Sequence, residues 1–279
     1  MLSSSQFLEQ HFSLKNKLAV VTGGTGVLGR EMARALAGAG AHVVILARRK
    51  KTAEELILKF KEEFGTQGLA VETDVTDQSS LEKAAKEIES KFGVIDILVN
   101  AAGGNLPGAV IQPNQSFFDL HLSDYQKVFD LNLTGTVLPT LILCKPWEKT
   151  KKGVIINISS MAAQRALTRV MGYSLAKAAV DNFTKWLSVE MATKYGEAIR
   201  VNAIAPGFFL TQQNKKLLTN DDGSLTERGQ KIIAQTPMKR FGNADELAGT
   251  LIWLCSDASK FVTGTVVSVD GGFGAYSGV

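Results

Sequence analysis

Short apolar runs alternate with helical patterns along almost the whole chain. Each run is rich in Val, Ile, Leu and Ala and lacks polar alternation, which is typical of strands covered on both faces. The predicted strands are residues 18–22, 42–47, 69–73, 95–99, 153–158, 199–204 and 265–269, and the predicted helices are residues 27–39, 52–64, 77–91, 123–145, 172–195 and 244–256. This alternation predicts an α/β protein whose doubly wound parallel sheet has about seven strands and carries helices on both faces.

The chain shows no repeat, linker or composition shift that would divide it, so residues 1–279 are predicted to form a single domain. Residues 1–14 form an N-terminal extension to the pattern. Residues 104–122 and 207–235 break the alternation, and the second segment is predicted to contain two short helices and to act as a substrate-loop insertion. Both segments follow strands, so they are expected at the carboxyl edge of the sheet, where such folds bind ligands.

A glycine-rich turn joins the first predicted strand to the first predicted helix. Gly24, Gly26 and Gly29 fit the pattern G-x-G-x-x-G directly after the run Leu18-Ala19-Val20-Val21. Glycines at these positions allow a tight turn and a close approach to a pyrophosphate, while the helix N-terminus supplies amide donors. The turn therefore predicts a dinucleotide-binding Rossmann fold.

Tyr173 and Lys177 are four residues apart, and Ser160 stands 13 residues before the tyrosine. On a helix, the phenol and the ammonium group would leave the same face. A cation beside a phenol favours the phenolate, so Tyr173 is a candidate general acid and base with a lowered pKa. Ser160 ends a predicted strand, where its hydroxyl could bond the same substrate oxygen.

Composition excludes several classes of function. The net charge of +4 and the short, separated cationic runs do not predict nucleic-acid binding. No stretch approaches the length of a membrane span, and no Cys/His cluster has metal-ligand spacing, so we expect neither a membrane partner nor a metal. Two distant cysteines and the lack of a signal-peptide pattern favour the cytoplasm.

With these residues in view, the chain resembles the short-chain dehydrogenase/reductase family from about Leu14 onward. The resemblance rests on Thr22-Gly23 with Gly29, Asp74-Val75, Asn100-Ala101-Ala102-Gly103, Asn132, Asn157-Ile158-Ser159-Ser160, Tyr173 with Lys177, and Pro206-Gly207. It implies an NAD(P)-dependent oxidoreductase with a catalytic tetrad at Asn132, Ser160, Tyr173 and Lys177. In that tetrad Tyr173 exchanges the proton, Ser160 orients the substrate oxygen, Lys177 lowers the pKa of the phenol and holds the nicotinamide ribose, and Asn132 supports a proton-relay water.

The same resemblance implies a cofactor cleft. Its expected residues are Gly23, Thr25, Gly26, Leu28, Arg48, Asp74, Val75, Asn100, Ala101, Gly103, Tyr173, Lys177, Pro206, Gly207 and Thr211. Asp74 and Val75 would border the adenine, and Pro206 and Thr211 the nicotinamide. One departure is in the turn, where Val27 occupies a position that is usually glycine in the family and a glycine stands one residue earlier, so a slightly altered phosphate cradle is expected.

The cofactor preference depends on the residues after the second predicted strand. An acidic residue that would bind the ribose of NAD is absent there, and Ala47 is followed by Arg48-Arg49-Lys50-Lys51. Because an arginine can pair with a 2′-phosphate, the pattern favours NADP, with NAD as the alternative.

Within the family, the chain is most similar to the D-mannonate oxidoreductase (D-fructuronate reductase) branch. The similarity rests on residues 103–107, 116–120, 165–169 and 207–211 and on the tail 269–279. It implies a sugar-acid substrate, whose carboxylate needs a cation or several donors. Arg165 is the first candidate, Asn105 the second, and Arg169 a further one; Ser160 and Tyr173 complete the predicted substrate site.

Other functions remain open from the sequence. Gluconate 5-dehydrogenase and 3-oxoacyl-carrier-protein reductase would use the same core, although the polar residues Asn105, Asn114, Gln115, Gln212, Gln213 and Asn214 favour a polyol. A nucleotide-binding regulator is the non-enzyme alternative. Apolar residues on several sides of the predicted helix 172–195 indicate a partner surface, and members of the family commonly assemble as homotetramers, which we expect here.

Overall fold

A single seven-stranded parallel sheet forms the centre of the computed structural model, which describes residues 2–211 and 214–278. The strands are β1 Leu18–Thr22, β2 His42–Ala47, β3 Gly68–Glu72, β4 Ile97–Asn100, β5 Gly153–Ile158, β6 Ile199–Pro206 and β7 Val266–Val269. Their order across the sheet is β3-β2-β1-β4-β5-β6-β7, and every neighbouring pair is parallel. The predicted doubly wound α/β fold is confirmed.

Helices cover both faces of the sheet. They are α1 Ser4–Phe12, α2 Val27–Gly38, α3 Lys50–Phe64, α4 Gln78–Phe92, α5 Leu122–Phe129, α6 Gly135–Leu143, α7 Trp147–Thr150, α8 Met161–Gln164, α9 Met171–Tyr195, α10 Lys215–Leu218, α11 Glu227–Gln235 and α12 Ala248–Cys255. α10 and α11 are the two short helices expected in the insertion. α1, within the N-terminal extension, was not expected. No helix of the described residues combines the length and apolar character that crossing a bilayer requires.

Two apolar cores lie on opposite faces of the sheet because successive strand residues point to opposite sides. One core includes Met32 and Leu36 of α2 and Leu251 of α12. The other includes Leu81 of α4 and Trp147 of α7. Strands that are buried on both faces carry continuous apolar runs, which explains why the sequence pattern located them.

The predicted helix over residues 123–145 is wrong as one regular element. α5 and α6 are joined by a π-helical turn at Asp130–Thr134. The hydroxyls of Thr136 and Thr140 donate to the carbonyl oxygens of Asn132 and Thr136, both at 2.8 Å. Pro139 lies inside α6 and lacks a backbone donor. The two threonine hydroxyls therefore add side-chain donors to backbone carbonyls in the interrupted region.

Several predicted boundaries also differ by a few residues. β4 begins at Ile97, two residues later than expected, although Ile95 is 4% exposed. The carbonyl of Ile95 accepts the Trp147 indole N–H at 2.7 Å, so this residue packs without joining the strand ladder. β6 continues to Pro206, which carries its end to the carboxyl edge of the sheet.

Candidate active site

A cleft of about 500 Å³ opens at the carboxyl edge of the sheet. It brings together the glycine-rich turn, the end of β5, the start of α9 and the segment after β6. The predicted site residues that line it are Gly23, Thr25, Gly26, Leu28, Ala101, Gly103, Ser160, Tyr173, Lys177, Pro206, Gly207 and Thr211. Residues far apart in sequence meet here because parallel strands end at one edge.

The glycine-rich turn brings backbone against backbone at the floor of the cleft. Gly23 has a φ of +66°, and a Cβ on it would lie 2.7 Å from the Cα of Ala102. The hydroxyl of Thr22 accepts the amides of Ala101 and Ala102, each at 3.1 Å, which ties β1 to the segment after β4. Gly26 precedes the first residue of α2, so the free amides of that helix face the cleft. These groups fit a dinucleotide pyrophosphate.

Ser160, Tyr173 and Lys177 meet at the inner end of the cleft. The Lys177 ammonium lies 5.7 Å from the centre of the Tyr173 ring and donates to the Ile158 carbonyl at 2.7 Å. The Ser160 hydroxyl accepts the amide of Ala162 at 3.1 Å and is near enough to the Tyr173 phenol to lower its pKa. Lys177 is 3% exposed. An acid/base phenol, a hydroxyl and a buried cation therefore lie together at one end of the cleft.

The expected lowering of the Tyr173 pKa is wrong for this structure. Burial raises the pKa of the phenol, and the nearby Ser160 hydroxyl lowers it by less. Burial also lowers the pKa of Lys177 to about 8, although the nearby carboxylate of Asp181 raises it. The prediction considered the neighbouring cation and left out desolvation, which disfavours the charged form of both groups.

Asn132 lies in the π turn and is fully buried. Its side-chain oxygen accepts the Gly104 amide at 3.0 Å, and its side-chain nitrogen donates to the carbonyls of Gly104 at 2.7 Å and Val128 at 2.8 Å. A Cβ on Gly103 would lie 2.6 Å from the Asn132 oxygen and 3.3 Å from the Lys177 nitrogen. The Asn132 side chain therefore holds the segment 103–104 beside Lys177, and its part in a proton relay stays a prediction.

Four residues expected at the cofactor do not line the cleft: Asn100, Val75, Asp74 and Arg48. Asn100 is 1% exposed, and its amide donates to Thr140 at 3.0 Å and Asn157 at 2.9 Å, so it joins β4 to β5 and α6. Val75 is buried against Gly135. The exposed Asp74 caps its own turn, accepting from the Thr76 amide and hydroxyl at 2.9 and 2.7 Å.

Of the two arginines that could meet a ribose 2′-phosphate, Arg48 and Arg49, only Arg49 lines the cleft. Arg48 is exposed outside the cleft lining, whereas Arg49, together with Thr52 at the start of α3, lines the cleft. Arg49 immediately precedes the first residue of α3, and the pattern of four consecutive cations did not indicate which of them turns inward. Asn214, from the insertion, and Gly104 also line the cleft.

The structure gives Arg165 another partner. Its guanidinium donates to the Gly274 carbonyl, through Nε at 3.0 Å, and to the Tyr276 carbonyl at 3.5 Å. The tail is fixed further by the Asp270 carboxylate, which accepts the amides of Gly272 at 2.9 Å and Gly274 at 2.6 Å. Arg165 therefore anchors the tail through Nε and Nη2, and its expected carboxylate role stays a prediction. The Asn105 oxygen accepts the next amide, that of Leu106, at 3.0 Å.

The remaining expectations concern the polar residues of the insertion, metal binding and the two cysteines. Gln212 and Gln213, which were part of the polar set favouring a polyol, lie outside the described residues. Within residues 2–211 and 214–278, no three His, Cys, Asp or Glu side chains form a group that could hold a metal ion. Cys144 and Cys255 are free thiols, and both are buried.

Comparison with known proteins places the chain among nicotinamide-dependent oxidoreductases. Residues 25–274 match the family model described as enoyl-(acyl carrier protein) reductase. An uncharacterized oxidoreductase, UxuB, of Bacillus subtilis (strain 168) is 47% identical over 278 residues, which cover 96% of this chain and 99% of the relative.

Solved structures agree with that similarity. A structure from Haemophilus influenza, named as a candidate D-mannonate oxidoreductase and containing NAD, has a TM-score of 0.89 and 41% identity and covers 98% of this chain and 100% of its own. A gluconate 5-dehydrogenase from Burkholderia cenocepacia J2315, in complex with NADP and tartrate, has a TM-score of 0.83 and 32% identity over 96% of this chain and 98% of its own.

Proposed function

The chain belongs to the short-chain dehydrogenase/reductase family, and from that premise we propose that it interconverts D-mannonate and D-fructuronate. It is an NAD(P)-dependent oxidoreductase that acts on alcohol and ketone groups. The alternative of a nucleotide-binding regulator without catalysis is therefore set aside. The observation that carries the proposal is the meeting of Ser160, Tyr173 and Lys177 at the inner end of the cleft.

Each of these three residues has a separate task in the proposed reaction. The nicotinamide, when bound, accepts or supplies the hydride. The Tyr173 hydroxyl gives a proton to the substrate oxygen during reduction and takes it back during oxidation. The Ser160 hydroxyl donates to the same oxygen and holds it in place. The Lys177 ammonium offsets the charge of the phenolate, which burial disfavours.

A sugar acid is the proposed substrate class. The candidate D-mannonate oxidoreductase and the gluconate 5-dehydrogenase described above both support it. In this chain, the cleft lining includes the polar residues Ser160 and Thr211, whose hydroxyls are suited to a polyol. A gluconate 5-dehydrogenase activity is the second candidate, supported by the Burkholderia cenocepacia structure. A 3-oxoacyl substrate would need an apolar channel for its chain, and the polar lining argues against it.

The cofactor is a nicotinamide dinucleotide, and we propose NADP as the preferred form. Related structures hold either NAD or NADP. The support for NADP comes from Arg49, whose guanidinium lines the cleft beside Thr52 after β2. A guanidinium at that place can pair with a 2′-phosphate in a bidentate manner. The buried free thiols Cys144 and Cys255 support a reducing, cytoplasmic location.

Reduction of a panel of ketones, followed by the absorbance of the reduced nicotinamide, tests the proposal. D-fructuronate, 5-keto-D-gluconate and an acetoacetyl thioester are each supplied with NADH and with NADPH. We expect kcat/KM for D-fructuronate to exceed the other two values by about tenfold or more, since a misplaced or missing polar group costs at least that much. A higher value for 5-keto-D-gluconate would transfer the assignment to the gluconate 5-dehydrogenase candidate, and turnover of the thioester alone would exclude both.

A further inference from the structure

Two arginines meet where three segments around the cleft converge. Arg169 lies in the loop between α8 and α9, four residues before Tyr173, and Arg228 is the second residue of α11 in the insertion. Arg228 Nη1 lies 3.3 Å from the hydroxyl of Thr168, the neighbour of Arg169. The loop 104–122 reaches the same place, because Arg169 Nε donates to the Ile111 carbonyl at 2.8 Å.

Arg169 is held in a conformation that its backbone disfavours. Its φ is +78°, a left-handed value that costs a residue other than glycine on the order of 1–3 kcal/mol. The guanidinium is fixed by the bond to Ile111 and by a second bond from Nη2 to the Gln112 side chain at 2.7 Å, and the Arg169 carbonyl accepts the Ile111 amide at 3.0 Å. Strained positions that several bonds maintain are typical of ligand sites. The bonds leave Nη1 of Arg169 without a partner among the described residues.

Among the described residues, no carboxylate forms an ion pair with either side chain. Both arginines are half-buried. Burial lowers the pKa of Arg228, and the charge of Arg169 lowers it further. Arg228 also stands in the first turn of α11, where the helix dipole disfavours a cation. Two partly desolvated like charges are costly unless an anion joins them.

Both arginines are connected to the cleft through the segments that carry them. The loop bound by Arg169 begins next to Gly104, and the insertion that carries Arg228 contains Thr211 and Asn214; all three of these residues line the cleft. Arg169 precedes Tyr173 by four residues, in the loop that leads into α9. The two arginines do not line the cleft themselves, but they lie on segments that contribute to its lining.

We propose that Arg169 and Arg228 together bind the carboxylate of the substrate. The proposal rests on the sugar-acid function given above and adds the residues that recognise its charge. We prefer this pair to Arg165 because the pair offers two guanidinium groups to one carboxylate, whereas Arg165 holds the tail. A carboxylate offers two oxygens, so each guanidinium can donate to it while Thr168 and Gln112 keep the two side chains oriented. Arg228 makes the site dependent on the insertion, because α11 carries this arginine.

Binding of a matched acid and alcohol tests the proposal on the protein saturated with NADPH, which cannot oxidise either ligand. D-mannonate and D-mannitol differ at the carboxylate, and calorimetry measures the affinity of each for the wild type, Arg228→Gln, Arg228→Lys and Lys231→Gln. Arg228→Gln keeps a donor for Thr168 and removes the charge. We expect it to weaken the binding of D-mannonate about tenfold or more, because a hydrogen bond to a charged group is lost. The affinity for D-mannitol should not change. Arg228→Lys should recover most of the affinity, and Lys231→Gln, an exposed position on the same helix, should change neither.

Three results would overturn the carboxylate site. They are equal binding of the acid and the alcohol by the wild type, unchanged D-mannonate affinity in Arg228→Gln, and equal losses for both ligands in that variant. Turnover separates this proposal from the assigned reaction. If D-mannonate binds through Arg228 and is not oxidised with NAD or NADP, the reaction is wrong and the carboxylate site stands; if D-mannonate is oxidised without dependence on Arg228, the reverse holds.

Discussion

Asp181 lies one helical turn after Lys177 on α9, and its carboxylate raises the pKa of an ammonium group that burial lowers to about 8. The carboxylate is half-buried next to Ser159, the residue before Ser160. Burial raises the pKa of the Asp181 carboxyl. Four neighbours lower it: Lys177 and Lys185 from the same helix, and Ser159 and Gln164 from the segment after β5. Asp181 therefore acts electrostatically on Lys177, the cation beside Tyr173.

We expect Asp181→Asn to move the alkaline limb of the pH–rate profile to lower pH. Lys177 loses its charge as the pH rises through about 8, and the phenolate then loses its counter-ion. Removing the Asp181 carboxylate lowers the pKa of Lys177 further, so the rate declines from a lower pH. The profile of kcat between pH 6 and 10 measures this change. An Asp181→Asn limb at the wild-type position would show that the carboxylate does not act through Lys177.

Tyr173→Phe keeps the ring and removes the proton that the reaction needs. Turnover should fall by about 10²–10⁴-fold, the usual contribution of general acid and base catalysis, with cofactor affinity unchanged. Steady-state kinetics and fluorescence titration of the reduced cofactor give the two values. Tyr195→Phe, at the far end of the same helix, is the matched control and should behave as the wild type. Near-normal turnover in Tyr173→Phe would remove the residue from its assigned role.

Arg49 and Arg48 form a natural pair of test and control, since only the first lines the cleft. Arg49→Ala should weaken the binding of NADP by about tenfold or more, which corresponds to the loss of a charge-assisted hydrogen bond. The affinity for NAD should change much less. Arg48→Ala should affect neither dinucleotide strongly. Titration of each variant with both cofactors provides the comparison, and equal losses of NAD and NADP in Arg49→Ala would assign that residue to general electrostatics.

The outer face of α9 predicts the assembly. Trp186 is 59% exposed and Val189 is 66% exposed, while Leu141 of α6 is 64% exposed. Apolar side chains of this size on adjacent helices indicate a surface that another copy covers. A double substitution of Trp186 and Val189 by lysine should convert a homotetramer, or a dimer, to smaller species in light scattering at micromolar concentration. Leu58→Lys on α3, which is 60% exposed on another helix, is the control, and a wild-type monomer would contradict the expectation.

The fold could be predicted because its strands are covered on both faces and therefore carry continuous apolar runs. The glycine-rich turn between a strand and a helix added the indication of a dinucleotide-binding fold. Ser160, Tyr173 and Lys177 were found for a related reason: their spacing is local, and one strand end and one helix present them. Arg228 was not found, because it is 59 residues from Arg169 and no local pattern predicts that the two meet. The direction of the Tyr173 pKa also escaped prediction, since it depends on burial by segments distant in sequence.

The π turn at Asp130–Thr134 has a consequence for how the chain tolerates insertion and deletion. A π turn holds one residue more than the surrounding α-helical register, and each α-helical residue rotates the helix by about 100°. Deleting one neighbour of Asn132 in this turn would restore a regular α-helical register and rotate Asn132 relative to Gly104. Residues 122–143 should therefore keep their count in functional variants, even where their surface residues change.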